Sequence, residues 1–289
     1  MFEVLDKNFK GPLSDNIDDY PEGIVIPVDK PYRWTSADVI RKVKYAACKH
    51  FGKKKLKVGH AGTLDPLATG VLLVCIGNAT KKAETLQTHD KEYVAGIAFG
   101  ATTPSYDLEK DIDRFFPYEG VNASAIEAVL PQFLGEQDQV APLFSAKSVD
   151  GVRAYELARK IYKEGGSLDE AAADLIRTSR ITITDIEMIS FQPANKTISP
   201  AEQALPSADD KPNSASSRIN VTDNSHLGLP RADIRIECSK GTYVRAFARD
   251  LGEALNTGAH LDALQRSRSG QFRVGDSLSV DEVLAWLQF

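Results

Sequence analysis

Apolar positions along the chain change period in a way that separates strands from helices. Val71 to Ile76 is an unbroken apolar run, the pattern of a strand covered on both faces. Lys91 to Gly100 alternates, with Tyr93, Ala95, Ile97 and Phe99 on one side. Arg180 to Phe191 alternates through Ile181, Ile183, Ile186 and Ile189, with a slip at Asp185, and Ala232 to Cys238 sets Ile234, Ile236 and Cys238 on one face. These last two segments are expected to pair as strands. Helical spacing predicts a helix capped by Ser36, carrying Val39, Val43 and Ala46 or Ala47 and ending near Gly52. Ala125 to Leu134 and Ala154 to Tyr162 read as short helices, and Lys240-Gly241 leads into one carrying Val244, Phe247, Ala248 and Leu251. Pro193 to Pro230, rich in Ser, Asn, Asp and Pro, reads as a mobile surface insertion rather than a domain. The sum is an α+β fold: an N-terminal extension over 1–23, then a single domain over 24–289 interrupted at 193–230.

Composition narrows the class. With 289 residues and 42% apolar side chains the chain can bury a substantial core. No apolar run approaches the roughly 20 residues of a spanning helix, and Met1 to Asp19 has acids but no apolar signal region, so no membrane and a cytoplasmic location are expected. Cys48, Cys75 and Cys238 are odd in number and lack ligand-spaced histidines, which predicts reduced, mostly buried thiols and no metal site. The net charge of −5 conceals an asymmetry. Ile24 to Lys91 holds thirteen bases against five acids, a local +8 that leaves −13 on the rest. Eight bases from Arg41 to Lys57, with no acid among them, lead to the loop at Gly59. Such a run is either a solvated face or a track for a polyanion.

That loop reads Gly59-His60-Ala61-Gly62-Thr63-Leu64-Asp65-Pro66-Leu67-Ala68-Thr69-Gly70. Its glycines permit close backbone approach to a ligand, and the apolar strand behind gives it a rigid mount. Asp65 before Pro66 is also an ordinary helix N-cap pair. The rest of the string changes the weight: with Gly77-Asn78-Ala79-Thr80-Lys81 it closely resembles the catalytic motif of the TruB-type tRNA pseudouridine synthases. Further blocks follow that family in order. They are Asp29-Lys30-Pro31 with Thr35-Ser36, Lys91-Glu92-Tyr93, Cys238 to Arg245, Asp250-Leu251-Gly252, Gly258-Ala259-His260 and Leu264-Gln265-Arg266. Several ordered blocks outweigh one short motif.

The resemblance implies a pseudouridine synthase-like mixed, mainly antiparallel sheet flanked by helices, with residues 24–289 as the catalytic domain. It implies isomerisation of a uridine in tRNA without a cofactor, the substrate being the T-arm stem-loop and its T-loop uridine. Asp65 matches the catalytic aspartate, Arg245 the arginine that pairs with it, and Tyr93 the tyrosine that stacks on the extruded base. His60, Lys30, Leu264 and Tyr243 match positions that hold or border the nucleotide. Each has an ordinary structural alternative: Tyr93 a core residue, Arg245 an exposed arginine in a first helical turn, His60 a turn residue, Lys30 a surface lysine. The chain departs from the family at Arg33, where a glycine is usual, and at Gln265, where paired arginines are common. It runs about nineteen residues past Gly270, so no C-terminal PUA-type domain is expected, nor an obligatory protein partner, and a monomer is. A tRNA-folding factor without catalysis, a guide-RNA-dependent synthase and a nucleoside hydrolase remain as alternatives, the last needing a second carboxylate about 5 Å away.

Overall fold

A computed structural model describes residues 2–142, 148–149, 152–153, 178–198 and 219–287. The helix expected over 154–162 and the centre of the 193–230 insertion lie outside the described residues. The main elements in chain order are β1 (Ile24–Lys30), α1 (Ser36–His50), β2 (Val58–Ala61), β3 (Ala68–Ile76), α2 (Ala83–Thr88), β4 (Lys91–Phe99) and α3 (Ala123–Val129). After these come β5 (Gly135–Val140), β6 (Thr178–Gln192), β7 (Arg231–Cys238), α4 (Val244–Ala254), β8 (Ala259–Ser269) and α5 (Val280–Trp286). The fold is a mixed, mainly antiparallel sheet with helices, as the resemblance implies. The chain forms two compact units, one of Met1–Val94 with Leu264–Phe289 and the other of Ala95–Ala263.

In the first unit β3 is the central strand. It pairs antiparallel with β1 from Ile24↔Ile76 to Lys30↔Gly70, antiparallel with β2 from Val58↔Ile76 to Ala61↔Leu73, and parallel with Leu264–Arg266 of β8. Flanked on both edges and covered on both faces, Val71 to Ile76 is wholly buried, which is why that stretch shows no alternation. On one face Val71, Leu73 and Cys75 pack with Val25, Ala61, Leu86 and Phe272. Each such aliphatic side chain contributes about 1.5–3 kcal/mol by leaving water. Helix α1 buries Val39, Val43, Ala46 and Ala47, the expected stripe. Its cap is Thr35, not Ser36: the Thr35 hydroxyl accepts from the Asp38 N–H while the Asp38 carboxylate accepts from the Thr35 N–H, a capping box. Ser36 is thereby released for another task, described below. Residues 2–23 belong to this unit, with Glu3–Val4 pairing parallel to β1 and Leu5 fully buried.

In the second unit β6 pairs antiparallel with β7 through its later half and with β5 through its first half. The alternation in β7 is carried through, with Ala232, Ile234, Ile236 and Cys238 fully buried. The slip at Asp185 is a register shift between Ile183 and Asp185. A second shift between Met188 and Ser190 was not legible, and it turns Ile189, expected on the apolar face, outward to 54% exposure. Helix α4 buries Val244, Phe247, Ala248 and Leu251 as its spacing predicts, and Phe247 meets Phe133 edge to face at 5.2 Å. The short helix expected from Ala125 is α3, continued by a tighter turn over Leu130–Phe133. At the described ends of the insertion, the Asn195 N–H donates to Gly228 O and the Thr222 N–H to Leu108 O. Cys75 and Cys238 are buried, Cys48 is half-buried, and all three are free. No helix among the described residues is long and apolar enough to cross a membrane.

Gly70 is the tightest joint in the first unit. Its φ is +95°, and a Cβ there would lie 2.2 Å from the carbonyl oxygen of Arg266 on the paired strand. Gly70→Ala is therefore expected to lower the unfolding free energy by more than ~2 kcal/mol, because neither the backbone angle nor the neighbouring strand can yield cheaply. Urea denaturation checks this, and a loss below ~0.5 kcal/mol would show that β8 is not seated as closely as described.

Candidate active site

Residues 62–67 form neither helix nor strand, so their carbonyl groups need partners from elsewhere. Asp65 does not cap a helix; it opens a turn closed by the Ala68 N–H donating to Asp65 O at 3.1 Å. Ser36, at the start of α1, brackets the preceding residue: its hydroxyl donates to Leu64 O at 3.2 Å and accepts from the Leu64 N–H at 3.0 Å. The Asp29 carboxylate accepts from the Gly70 N–H at 3.0 Å, fixing the far end of the loop.

Two buried cations do the rest. Lys30 is fully buried, and its ammonium donates to Pro31 O at 2.9 Å, Trp34 O at 2.6 Å and Pro66 O at 3.2 Å, using all three protons. Arg266, 2% exposed, donates from Nε to Val71 O at 2.7 Å and from its terminal nitrogens to Gly62 O at 3.1 Å and Thr63 O at 3.4 Å. Burial pulls the Lys30 ammonium down to about 8; the nearby Asp65 carboxylate favours its charge and Arg266 opposes it. The half-buried carboxylate of Asp65 thus sits on a backbone held from both sides. Nothing in the sequence marked Arg266 for this role, since its partners lie about 195 residues away along the chain.

The other predicted residues of the first unit lie as follows. His60 is on β2; burial first, and the Arg266 charge second, hold its imidazole below the ordinary range, so the ring is neutral at neutral pH. Its buried Nδ1 has no hydrogen-bond partner among the described residues. Tyr93 is buried on β4, on the same side as Ala95 and Ile97. Leu264 is half-buried on β8, in register with Ala68 of the loop's exit.

Tyr243 and Arg245 belong to the second unit, where Tyr243 precedes α4 and Arg245 lies in its first turn. Arg245 is not exposed: its side chain is 6% accessible, with Nε 3.8 Å from the equally enclosed Asp107 carboxylate and a terminal nitrogen donating to Ser105 O at 3.1 Å. Asp107 is itself positioned, accepting from the Ser105 hydroxyl at 2.6 Å and the Glu109 N–H at 2.9 Å. Sequence reading missed Asp107, which looks like one acid among several in a polar stretch. It also missed Gln139, buried, whose amide accepts from the Tyr243 N–H at 2.8 Å and donates to Tyr243 O at 3.1 Å.

The basic run is solvent-facing: Arg41, Lys42, Lys44, Lys49, Lys53, Lys54, Lys55 and Lys57 are exposed, and Tyr45 among them is 77% exposed. Part of it is already neutralised, with Lys53 on Asp18 at 2.9 Å and Arg41 on Asp38 at 2.9 Å. Among the described residues no cluster of three or more His, Cys, Asp or Glu could hold a metal ion.

Residues 49–201 match the model of the TruB family pseudouridylate synthases, N-terminal domain. The chain is 44% identical to a tRNA pseudouridine synthase B of Phocaeicola vulgatus, over 93% of this chain and 94% of the relative. It is 40% identical to the protein of that name from Flavobacterium johnsoniae, over 91% of this chain and 95% of the relative. Among solved structures it resembles a chain of an H/ACA ribonucleoprotein bound to a substrate RNA containing 2′-deoxyuridine, with TM-score 0.54 and 21% identity over 99% of this chain. A chain of an archaeal box H/ACA ribonucleoprotein gives TM-score 0.53 and 23% identity over 93% of this chain. The chain spans 61% and 54% of those two structures' chains, and at such identity the likeness shows the fold alone.

Lys30 provides a measurable signature of the loop. A base with a depressed folded-state value destabilises the fold while protonated, because the unfolded chain holds the proton more readily. The penalty is complete below pH about 8 and is relieved as pH rises toward 10.5, the ordinary lysine value. The unfolding free energy of the parent is expected to rise relative to Lys30→Met across that window, measured by urea titration at several pH values. Parallel curves would show that Lys30 is not desolvated.

Proposed function

The chain belongs to the TruB family of pseudouridylate synthases, and from that premise we propose that it converts the T-loop uridine of tRNA, conventionally numbered 55, to pseudouridine with Asp65 as the catalytic carboxylate. The observation that carries this reading is the Asp65 loop itself. Lys30, Arg266 and Ser36 fix the carbonyls of Gly62, Thr63, Leu64 and Pro66 on either side of a partly accessible carboxylate. A nucleophile must be held to within a fraction of an ångström to contribute, and a backbone tied by dry charge-assisted hydrogen bonds is suited to that.

The reaction breaks the bond from uracil N1 to ribose C1′, turns the base, and joins C5 to C1′; the proton on C5 is lost and one is gained at N1. The product is an isomer, so no cofactor is required. A stacked uracil is out of reach and must be extruded, at a cost of a few kcal/mol that is least in a loop. In this reading Arg245 is the arginine that pairs with the catalytic aspartate, its own fork held by Asp107 and Ser105. Tyr93 offers a ring face for the base and a hydroxyl for the C5 proton. Leu264 walls the base, His60 helps hold the extruded nucleotide, and Tyr243 packs beside Arg245. Lys30 acts on the nucleotide through the loop it clamps. Relatives matched over 94% and 95% of their length are named as tRNA enzymes, which favours a stand-alone tRNA synthase over a guide-dependent one.

On a tRNA T-arm hairpin labelled at uridine C5, the protein is expected to release the label with no mass change in the RNA and no free uracil. Asp65→Asn should reduce release to background while binding persists. Free uracil would support a hydrolase, and binding without release a folding factor. Arg245→Lys keeps the charge but loses the fork, so turnover should fall ~10²-fold with affinity within ~3-fold. Unchanged turnover would remove Arg245 from the chemistry.

A further inference from the structure

Among the described residues three that are not glycine have positive φ: Arg33 at 64°, Tyr106 at 56° and Asn256 at 55°. This region brings Cβ against the following carbonyl, a strain that glycine escapes. Asn256 lies just beyond the end of α4, where asparagine commonly adopts it. Tyr106 stands between Ser105 and Asp107, the two residues that hold Arg245, and its ring faces the Arg249 guanidinium at 5.5 Å. Arg33 has neither the short polar side chain that eases the conformation nor a helix end to cap.

Arg33 does have a fixed relation to the Asp65 loop. Its N–H donates to Pro66 O at 3.0 Å, the carbonyl that also receives the Lys30 ammonium. The peptide of Arg33 is therefore tied to the residue immediately after Asp65, while its side chain is exposed, beside Tyr32 at 43% exposure. Glycine would supply the same backbone without strain, so backbone conformation alone does not account for an arginine at this position. Strain kept at a site edge is informative in this direction, from an observed outlier to a role.

We infer that Arg33 is a substrate-binding residue whose guanidinium grips an RNA phosphate next to the nucleotide presented to Asp65. The inference rests on the synthase reading above. A planar fork matches two phosphate oxygens, and a rigid turn bonded to the loop converts that grip into register between RNA and carboxylate. The exposed bases of α1 and the residues after it attract a polyanion from any direction. Arg33 differs from them in being anchored to the chemistry.

The test uses the full chain with Arg33→Gly and Arg33→Lys on the C5-labelled T-arm hairpin over a range of salt concentrations. Arg33→Gly is expected to melt no lower than the parent, since its backbone strain is gone. Its KM should rise ~10-fold and the slope of log affinity against log salt should fall by about one phosphate contact. Turnover at saturating RNA should stay within ~3-fold. Arg33→Lys should recover part of the KM and most of the salt slope. Parental KM and salt slope in Arg33→Gly would overturn the inference, as would a lowered melting temperature with lost turnover, which would make Arg33 a structural part of the loop. Absence of label release by the parent would sink the synthase reading instead, and the salt slope of RNA binding would still decide whether Arg33 holds a phosphate.

Discussion

A chain segment without regular structure cannot satisfy its own carbonyl groups, and when it is packed against a core it needs donors brought from outside. Between Gly62 and Pro66 those donors are an ammonium and a guanidinium, both removed from water, aided by one hydroxyl and the Arg33 amide. Burying either cation alone would be costly, and the compensation comes from filling every ammonium proton and most of the fork with oxygen acceptors. The neighbouring features follow from this. Gly70 has no side chain because Arg266 must pass close by, Asp29 turns its carboxylate to the Gly70 amide, and β8 lies parallel to β3 at that one stretch.

The second unit repeats the logic with the signs arranged differently. Arg245 is enclosed on α4, a helix whose stripe of Phe247, Ala248 and Leu251 requires that face to be buried. A guanidinium carried inward by such a helix needs an anion, and Asp107 supplies it, itself restrained by Ser105 and the Glu109 amide. Restraint of this kind limits the conformations a cation can explore, which is where arginine and lysine differ most.

How far the sequence revealed this depends on the range of the interaction. The strands were legible because apolar alternation is local, and even the irregularity at Asp185 left a trace in the spacing, whereas the one before Ser190 left none and misplaced Ile189. The cap of α1 was misjudged by one residue, since Thr35 and Ser36 carry the same chemistry and only the Asp38 carboxylate distinguishes them. The residues proposed for catalysis came from ordered motifs resembling a family. Of the groups that hold them, Asp107 and Gln139 came from neither period nor motif, and Arg266 stood in a matched block with nothing to mark its role, because each meets its partner through the fold rather than along the chain.

One consequence of the dry placement of Lys30 and Arg266 concerns ionic conditions. Mobile ions shield charges that face solvent over a distance of about 8–10 Å, but they have no access to an interior pair. A rise in electrolyte would therefore weaken the attraction of the exposed α1 lysines for any polyanion while the hydrogen bonds that fix the backbone around Asp65 stayed as they are. Surface attraction and interior order thus answer to separate variables, so that a change in the medium moves the one without moving the other.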